Sequence, residues 1–240
     1  CGTLSTLMVA MALAAFVIGC GNDDKGTDTG TDADPIDYSP NVEDDVANSL
    51  AAMVAADNGG VADQLVDMVS LAGTSGLRHT NLVANHTSPS YDFASRTWAW
   101  SFAREYSSAN GLYYARFERS YRWRFLKKNG QPQVNYISIN DTAYSIELTI
   151  VSGAGRHLLP LLSQTLDSLS GQLVATGTNT DEITVNGTWF RSALDTIRTR
   201  YAVRTLDHAC SLTVSDLRCQ RDTTSQPWHG VSGLVTGTFS

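Results

Sequence analysis

The residue of this sequence best placed for chemistry is Cys20, whose thiol follows a small residue at the end of an apolar run. The run extends from Leu4 to Ile18. It is too short to be a good transmembrane helix, which needs roughly 20 residues, and is typical of the core of a secretory signal. Gly19 supplies the small side chain that signal cleavage requires. The Cys20 thiol is then a soft nucleophile close to the new terminus.

The segment Val17-Ile18-Gly19-Cys20 resembles the lipobox of bacterial lipoproteins, in which an apolar residue, a tolerant position and a small residue precede the cysteine. The resemblance covers residues 1–20 and implies cleavage after Gly19 and acyl chains such as palmitate on Cys20. An uncleaved anchor or a buried cysteine is the alternative. Because the chain begins at Cys1 without Met or a basic segment, we expect the signal peptide, residues 1–19, to be N-terminally incomplete.

The resemblance also predicts a location, the bacterial cell envelope, with the membrane as a partner through the N-terminal acyl chains. Gly21 stands where the inner-membrane retention signal of enteric lipoproteins has Asp. The outer membrane, at its periplasmic face or at the cell surface, is therefore favoured over the inner membrane.

Residues 20–40 form an acidic segment rich in Gly and Thr. Nine Asp and Glu lie between Asp23 and Asp45, against the single Lys25. Such a composition cannot bury enough apolar area to fold, so it predicts a flexible, lipidated tether. From Thr74 onwards sixteen Lys and Arg face twelve Asp and Glu, a slight basic excess that does not indicate binding to nucleic acid.

Residues 41–73 carry the clearest helical pattern. Asn41 can cap the first helix, and three acids at 43–45 suit its first turn. Apolar residues recur at helical spacing on both sides of a break at Asp57–Gly60, which predicts a helical hairpin. We expect it to pack on a sheet; a stripe with methionines that lines a ligand groove is the alternative.

From Leu77 onwards the apolar period changes from that of a helix to two residues, which predicts strands. Residues 97–106 and 113–125, around the turn signal Asn110-Gly111, predict a long antiparallel hairpin with one aromatic and one solvated face. Residues 144–150, 183–189 and 201–214 continue the series, with a bulge or bend at Asn186-Gly187. The leucine-rich segment from His157 to Leu169 is predicted to be a short helix or a crossover rather than a strand.

These elements predict one α+β domain over residues 41–240, with helices at 41–73 and mainly strands at 77–240. An N-terminal helical hairpin packs on a large, mostly antiparallel meander sheet, for which a curved half-barrel is one possible form. The hydrophobic fraction of 42% is sufficient for a substantial core.

Cys210 and Cys219 are the cysteines that remain after cleavage and lipidation, and an oxidising compartment favours a disulfide between them. A hairpin turn through Thr213–Asp216 would place them opposite each other, at a Cα separation of about 5.5 Å that suits the bond. Two free thiols, or half of a metal site, are the alternatives.

Motifs that carry catalysis or cofactor binding are missing from the sequence. The five His form no close ligand pair, and there is no CxxC, no GxSxG and no Gly-rich phosphate loop. Asp207 and His208 are neighbours whose side chains should point to opposite faces of a sheet. We therefore assign no catalytic residues, no metal ligands and no cofactor, and an enzyme is the least favoured class.

Two sets of residues could support binding. The aromatic set, Trp98, Trp100 and Trp123, could line an apolar cavity of a curved sheet, as in periplasmic lipid carriers, although an ordinary core is the alternative. The basic set, Arg116, Arg122 and Arg124, could meet anionic headgroups, glycans or an acidic partner. A solvated face with cross-strand ion pairs is the alternative to that interpretation.

Two functional hypotheses follow from these observations. The first is a membrane-anchored binding module of the cell envelope that recognises an apolar or anionic ligand. The second is a structural or protein-interaction lipoprotein of an envelope assembly. The partners to be expected are a lipid, a glycan or an envelope protein, and no nucleic acid.

Overall fold

The computed structural model describes residues 42–54, 59–71, 88–139, 141–198, 202–221 and 228–240. The predicted signal, the tether with Cys20, and the predicted cap Asn41 lie outside these residues. The described helices and strands, in chain order, are α1 Val42–Val54, α2 Val61–Leu71, β1 Ser90–Asp92, β2 Thr97–Ser107, β3 Tyr114–Leu126, β4 Pro132–Gln133, β5 Ile137–Ser138, β6 Asp141–Thr142, β7 Ser145–Leu158, β8 Leu162–Thr176, β9 Glu182–Arg198, β10 Val203–Arg221 and β11 Trp228–Phe239.

Most of the described chain forms one antiparallel sheet, as predicted. Its strand order is β1-β2-β3-β7-β8-β9-β10-β11, with β4 added beside β3. Strands β5 and β6 form a separate two-stranded ribbon. Among the described strands, β1 and β11 are the two edges of this order and do not pair with each other. Of the helices in the described ranges, neither is long and apolar enough to cross a bilayer.

The long hairpin predicted at residues 97–125 is confirmed as β2 and β3. Trp100 pairs with Tyr121 in register, and both side chains are buried, at 3% and 1% exposure. Arg122 and Arg124, which alternate with this set, are exposed. We call the buried side of the sheet the inner face and the opposite side the outer face.

The segment 157–169, predicted as a helix or crossover, instead forms the end of β7 and the start of β8, so that prediction is wrong. Pro160 lies in the turn between them, where the Leu159 N–H donates to the Leu162 carbonyl at 2.7 Å. The pairing of β8 with β9 shifts between Leu166 and Ser168. This irregularity interrupts the two-residue alternation, which is why the sequence did not show a strand.

The predicted disulfide is also wrong, because Cys210 and Cys219 are both free and buried. They lie on the same strand, β10, which continues from Val203 to Arg221. Nine residues of extended chain separate their Cα atoms by about 30 Å, whereas a disulfide requires about 5.5 to 6 Å.

The segment that was predicted to turn between the cysteines is a β-bulge. The register of β10 against β9 shifts between Val214 and Leu217. Asp216 has a φ of 49° there, and its N–H donates to Asn186 Oδ1 at 2.8 Å. The bulge predicted at Asn186-Gly187 of β9 is thus present, but the additional residue lies in the opposing strand β10.

The two helices predicted within residues 41–73 are confirmed as α1 and α2, which we call the helix pair. Gly59 precedes α2 with a φ of 80°, and a Cβ there would lie 2.9 Å from the Phe117 ring, so this position requires glycine. Met53 of α1 and Met68 of α2 are buried in the same core as Trp100. The helix pair therefore covers part of the inner face.

Candidate functional site

The predicted basic set lies on the outer face of β3 and is largely engaged with neighbouring acids. Arg116 Nη2 lies 3.0 Å from Glu118 Oε1, and Arg124 pairs with Glu147 across the strands. Arg122 is exposed between its cross-strand neighbours. A solvated face with ion pairs, the alternative interpretation, describes Arg116 and Arg124.

The predicted aromatic set lies on the inner face and packs as a core. The Trp98 and Trp123 rings stack with centroids 6.1 Å apart, and Trp100 stacks on Phe102 at 4.3 Å. Trp100 and Trp123 are 3% and 6% exposed. Because the basic and aromatic sets occupy opposite faces, they cannot form one site.

The inner face holds two clusters of polar residues that the sequence analysis did not assign. The first, which we call the acid–arginine cluster, joins α2 to β2 and β3 and consists of Asp63, Asp67, Arg104, Arg119 and Tyr121. The two aspartates are four residues apart on α2 and thus share one helix face. Arg104 and Arg119 both follow the inward alternation of the β2–β3 hairpin.

Both arginines of this cluster contact both carboxylates. Arg104 Nη1 lies 2.6 Å from Asp63 Oδ1, and its Nη2 contacts Asp67 Oδ1. Arg119 Nη2 lies 2.6 Å from Asp63 Oδ2, and its Nη1 lies 3.7 Å from Asp67 Oδ2. Two positive and two negative charges therefore balance within the cluster.

Burial and neighbouring charges act in opposite directions on the pKa values of this cluster. At Asp67, burial outweighs the charge of Arg104, so the net pKa is raised. Burial lowers the pKa of Arg104, but the charges of Asp67 and Asp63 outweigh burial, so the net pKa is raised. For Tyr121, burial and the charge of Asp67 raise the pKa well above 10.0. The tyrosine therefore remains protonated and acts as a hydrogen-bond donor.

The second cluster, which we call the polar layer, crosses four strands under α1. Its members are Ser49, His157, Gln164, Arg191, Asp195 and His208, and each is at most 2% exposed. In register, His157 pairs with Gln164 and Gln164 pairs with Asp195, which places these three side by side across β7, β8 and β9. His208 of β10 and Arg191 of β9 lie next to this row.

Asp195 organises one half of the polar layer. Its Oδ2 accepts a hydrogen bond from Ser49 Oγ of α1 and lies 3.2 Å from His208 Nε2. Burial raises the pKa of Asp195, but the contacts with His208 and Ser49 more than offset it, so the net pKa is lowered. Because the carboxylate stands between serine and histidine, the order of contacts is not that of a Ser-His-Asp triad, where histidine is central.

The other half of the layer is short of partners. Arg191 Nη2 donates to Gln164 Oε1, but Arg191 Nε and Nη1 and both ring nitrogens of His157 have no partner among the described residues. Burial, opposed in part by the charge of Asp195, lowers the pKa of Arg191 to about 10. Asp195 Oδ1 and His208 Nδ1 in the first half lack partners as well. Buried polar atoms without partners are uncommon in folded proteins, so the layer as a whole is suited to hold a polar group from outside the chain.

A signal for both clusters exists in the sequence. Arg104, Arg119, Arg191 and Asp195 each occupy an inward position in a strand that otherwise buries apolar residues there. Burial of a charge is costly without a partner. Charged residues at the inward positions of the two-residue alternation therefore indicate an internal polar site. The expected opposite orientations of Asp207 and His208 are confirmed, since only the histidine is buried.

Within the described ranges, no group of three His, Cys, Asp or Glu is arranged to hold a metal ion.

No protein-family model matches this chain, and the comparisons with the curated proteins and with the solved structures found no match.

Proposed function

We propose that this protein is a lipid-anchored binding module of the bacterial cell envelope, whose ligand is held at the polar layer between α1 and the inner face. The observation that carries the proposal is the set of buried donors on Arg191 and His157 that the described residues leave without a partner. A native core satisfies nearly all such groups. A ligand with acceptor atoms would complete the hydrogen bonding.

The surroundings of the polar layer suit a ligand that is partly apolar. Leu166, Leu169 and Trp189 are buried members of the neighbouring core, and Leu169 pairs directly with Arg191. Ligand sites in proteins are mostly apolar, with a few polar groups that orient the ligand. A sheet curved into a half-barrel would give the apolar part of such a ligand room along the inner face.

The helix pair acts as the cover of this site. Arg204 Nε and Nη2 donate to the two carboxylate oxygens of Asp45 on α1, at 2.6 and 2.8 Å. Gln64 Oε1 on α2 accepts a hydrogen bond from Trp189 Nε1 at 3.0 Å. Ser49 of α1 also contacts Asp195, so the helix pair lies over the polar layer.

The anchor in this proposal is Cys20, followed by the acidic tether, with the outer membrane as the site of attachment. Two or more acyl chains on one residue are sufficient for stable membrane attachment. The tether then allows the folded domain to stand away from the lipid surface.

Metabolic labelling tests the anchor. The chain is expressed with a complete signal in a Gram-negative host that is fed labelled palmitate, beside the variant Cys20→Ser. We expect label and membrane association in the wild type and neither in the variant. A wild type without label, or a Cys20→Ser protein that still sediments with membranes, contradicts the anchor.

Mass spectrometry tests the ligand. The Cys20→Ser chain is purified from the periplasm and weighed under native and denaturing conditions, and the released material is extracted and identified. We expect an additional mass that is present only in the native spectrum. Arg198→Met, which removes a positive charge from an exposed position of β9, is the matched control and should retain that mass. If the native and denatured masses agree, no ligand is held and the binding proposal is wrong.

A structural or interaction lipoprotein is the second candidate, and strand β11 favours it. This strand pairs only with β10 among the described strands, contains no charged residue, and exposes Val231 and Leu234 at 51% and 53%. Edge strands usually carry charges or Pro that prevent pairing with other chains. If this edge binds an envelope protein, Val231→Lys with Leu234→Lys should abolish its capture in pull-downs, whereas Arg122→Glu with Arg124→Glu tests the outer face in the same way.

A further inference from the structure

Among the described residues, three arginines are buried on the inner face, and two of these three have a counter-ion. Arg104 and Arg119 each contact both Asp63 and Asp67. Arg191 is 0% exposed, yet no carboxylate among the described residues lies within 4.0 Å of its guanidinium. An isolated buried charge is among the most costly features a fold can contain. The lack of a counter-ion at Arg191, in contrast to Arg104 and Arg119, therefore requires an explanation.

Asp195 does not supply the missing partner. Its Oδ2 contacts Ser49 and His208, and its Oδ1, which has no hydrogen-bond partner among the described residues, does not lie within 4.0 Å of the guanidinium. The contact of Arg191 with Gln164 is a hydrogen bond to a neutral amide, which leaves the positive charge uncompensated at short range. Two guanidinium nitrogens, Nε and Nη1, remain as donors.

We infer that Arg191 binds the anionic oxygens of a carboxylate or phosphate group, with His157 as a second donor. This inference rests on the proposed binding function and specifies the chemical class of the ligand. Arginine is well suited to the role, because guanidinium donors match carboxylate and phosphate oxygens and the resulting bonds are charge-assisted.

His157 is placed to assist because it and Arg191 are both neighbours of Gln164. It pairs in register with Gln164, the residue that holds Arg191, and its ring packs edge-on against Tyr113 with centroids 5.1 Å apart. Neither of its ring nitrogens has a partner among the described residues, so one N–H can donate to an anion beside the guanidinium.

Two sources can supply such a group, a small free anion or the head of an amphiphile. The probes are inorganic phosphate, decanoate and dihexanoyl phosphatidylglycerol below its micelle concentration, each added to the Cys20→Ser chain after removal of co-purified material. Thermal melting and titration calorimetry follow binding, with sodium chloride at equal ionic strength as the reference. Binding of phosphate indicates a free anion, and binding of the two amphiphiles alone indicates a lipid or fatty-acid head.

Three variants make the test specific. Arg191→Met should weaken binding by about tenfold or more, as expected for the loss of a charge-assisted hydrogen bond, and Arg198→Met, at an exposed position of the same strand β9, should leave it unchanged. Without any anion, Arg191→Met should melt at or above the temperature of the wild type because it removes an unpaired charge, whereas Arg104→Met should melt below it because it leaves two aspartates under-paired.

The inference is overturned if no probe binds beyond the sodium chloride reference, if Arg191→Met binds as tightly as the wild type, or if Arg191→Met melts well below it without anion. Its failure is separable from that of the proposed function. A neutral ligand in the native mass spectrum would support the binding function but contradict the anion-binding role of Arg191. A spectrum without any ligand would contradict the binding function itself.

Discussion

The Tyr121 hydroxyl donates a hydrogen bond of 2.7 Å to Oδ2 of Asp67 and thereby links β3 to α2 in the middle of the inner face. The same carboxylate contacts Arg104 and Arg119. One aspartate thus receives contacts from three side chains on two strands, which makes Asp67 the central acceptor of the acid–arginine cluster.

Asp67→Asn should destabilise the protein strongly. The substitution leaves two buried arginines with the single carboxylate of Asp63, and breaking a buried ion pair in this way costs about 3 to 5 kcal/mol. Urea unfolding followed by tryptophan fluorescence measures the change. Glu118→Gln, which removes the partner of an exposed ion pair with Arg116, should cost less than about 1 kcal/mol. Equal losses in the two variants would contradict a central role for Asp67.

His157 should make stability depend on pH near neutrality. Burial and the charge of Arg191 lower the pKa of His157 from its ordinary value of 6.5. Below that pH the unfolded chain takes up a proton that the folded chain does not, so stability falls as the solution is acidified from pH 6.5 towards the lowered pKa. Above pH 6.5 His157 is neutral in both the folded and the unfolded chain, so it adds no pH dependence to the free energy of unfolding.

The measurement compares urea unfolding of the wild type and His157→Gln between pH 5 and 8. The difference in unfolding free energy between the two proteins should be constant above pH 6.5 and should change in favour of the variant below it. A difference that stays the same over the whole range would show that His157 is not held neutral by the fold.

Cys210 and Cys219 should behave as two protected thiols. Burial raises the pKa of Cys219 to about 11 and also raises the pKa of Cys210, where the charge of Arg191 offsets part of the effect. The thiolate is the reactive form, so iodoacetamide should label both residues only after unfolding. Peptide mass spectrometry without reductant gives the answer, and a cross-linked peptide that contains both cysteines would contradict the strand assignment of β10.

Gly155→Ala should destabilise the sheet. A Cβ at this position of β7 would lie 2.4 Å from Cδ1 of Phe117 and 2.5 Å from the carbonyl oxygen of Arg116, and such overpacking costs about 1 to 3 kcal/mol. Gly230→Ala on β11 is the control, since no described atom lies within 4 Å of its added Cβ. A thermal melt that is lowered equally by both changes would argue against the close approach of β7 to β3.

Much of the fold could be predicted because it depends on short-range patterns. The alternation between Trp98 and Phe125 was enough to place β2 and β3 and to separate inner from outer side chains. The helical spacing on both sides of Gly59 was enough to place α1 and α2. Where the alternation was interrupted by the irregularity near Leu166, the same reasoning failed, because a bulge shifts the phase of every later residue.

The cysteine prediction failed for a related reason. The stretch Thr213–Asp216 has the composition of a turn, but in the sheet Thr213 and Val214 pair with both β9 and β11, and Ser215 pairs with β11. Pairing with neighbouring strands supplies backbone hydrogen bonds that local composition does not reveal. β10 therefore continues through the segment as a bulged strand.

By itself, the sequence determined the apolar run before Cys20, the acidic composition of residues 20–40, and the positions of α1, α2, β2 and β3, since each depends on residues close together in the chain. Only the tertiary structure decided which buried charges are paired. Arg104 and Arg191 look alike in the sequence, both at inward positions of amphipathic strands. Arg104 meets Asp63 from 41 residues away, whereas Arg191 meets no carboxylate in the described structure, because electrostatic partners are chosen by distance in space rather than along the chain.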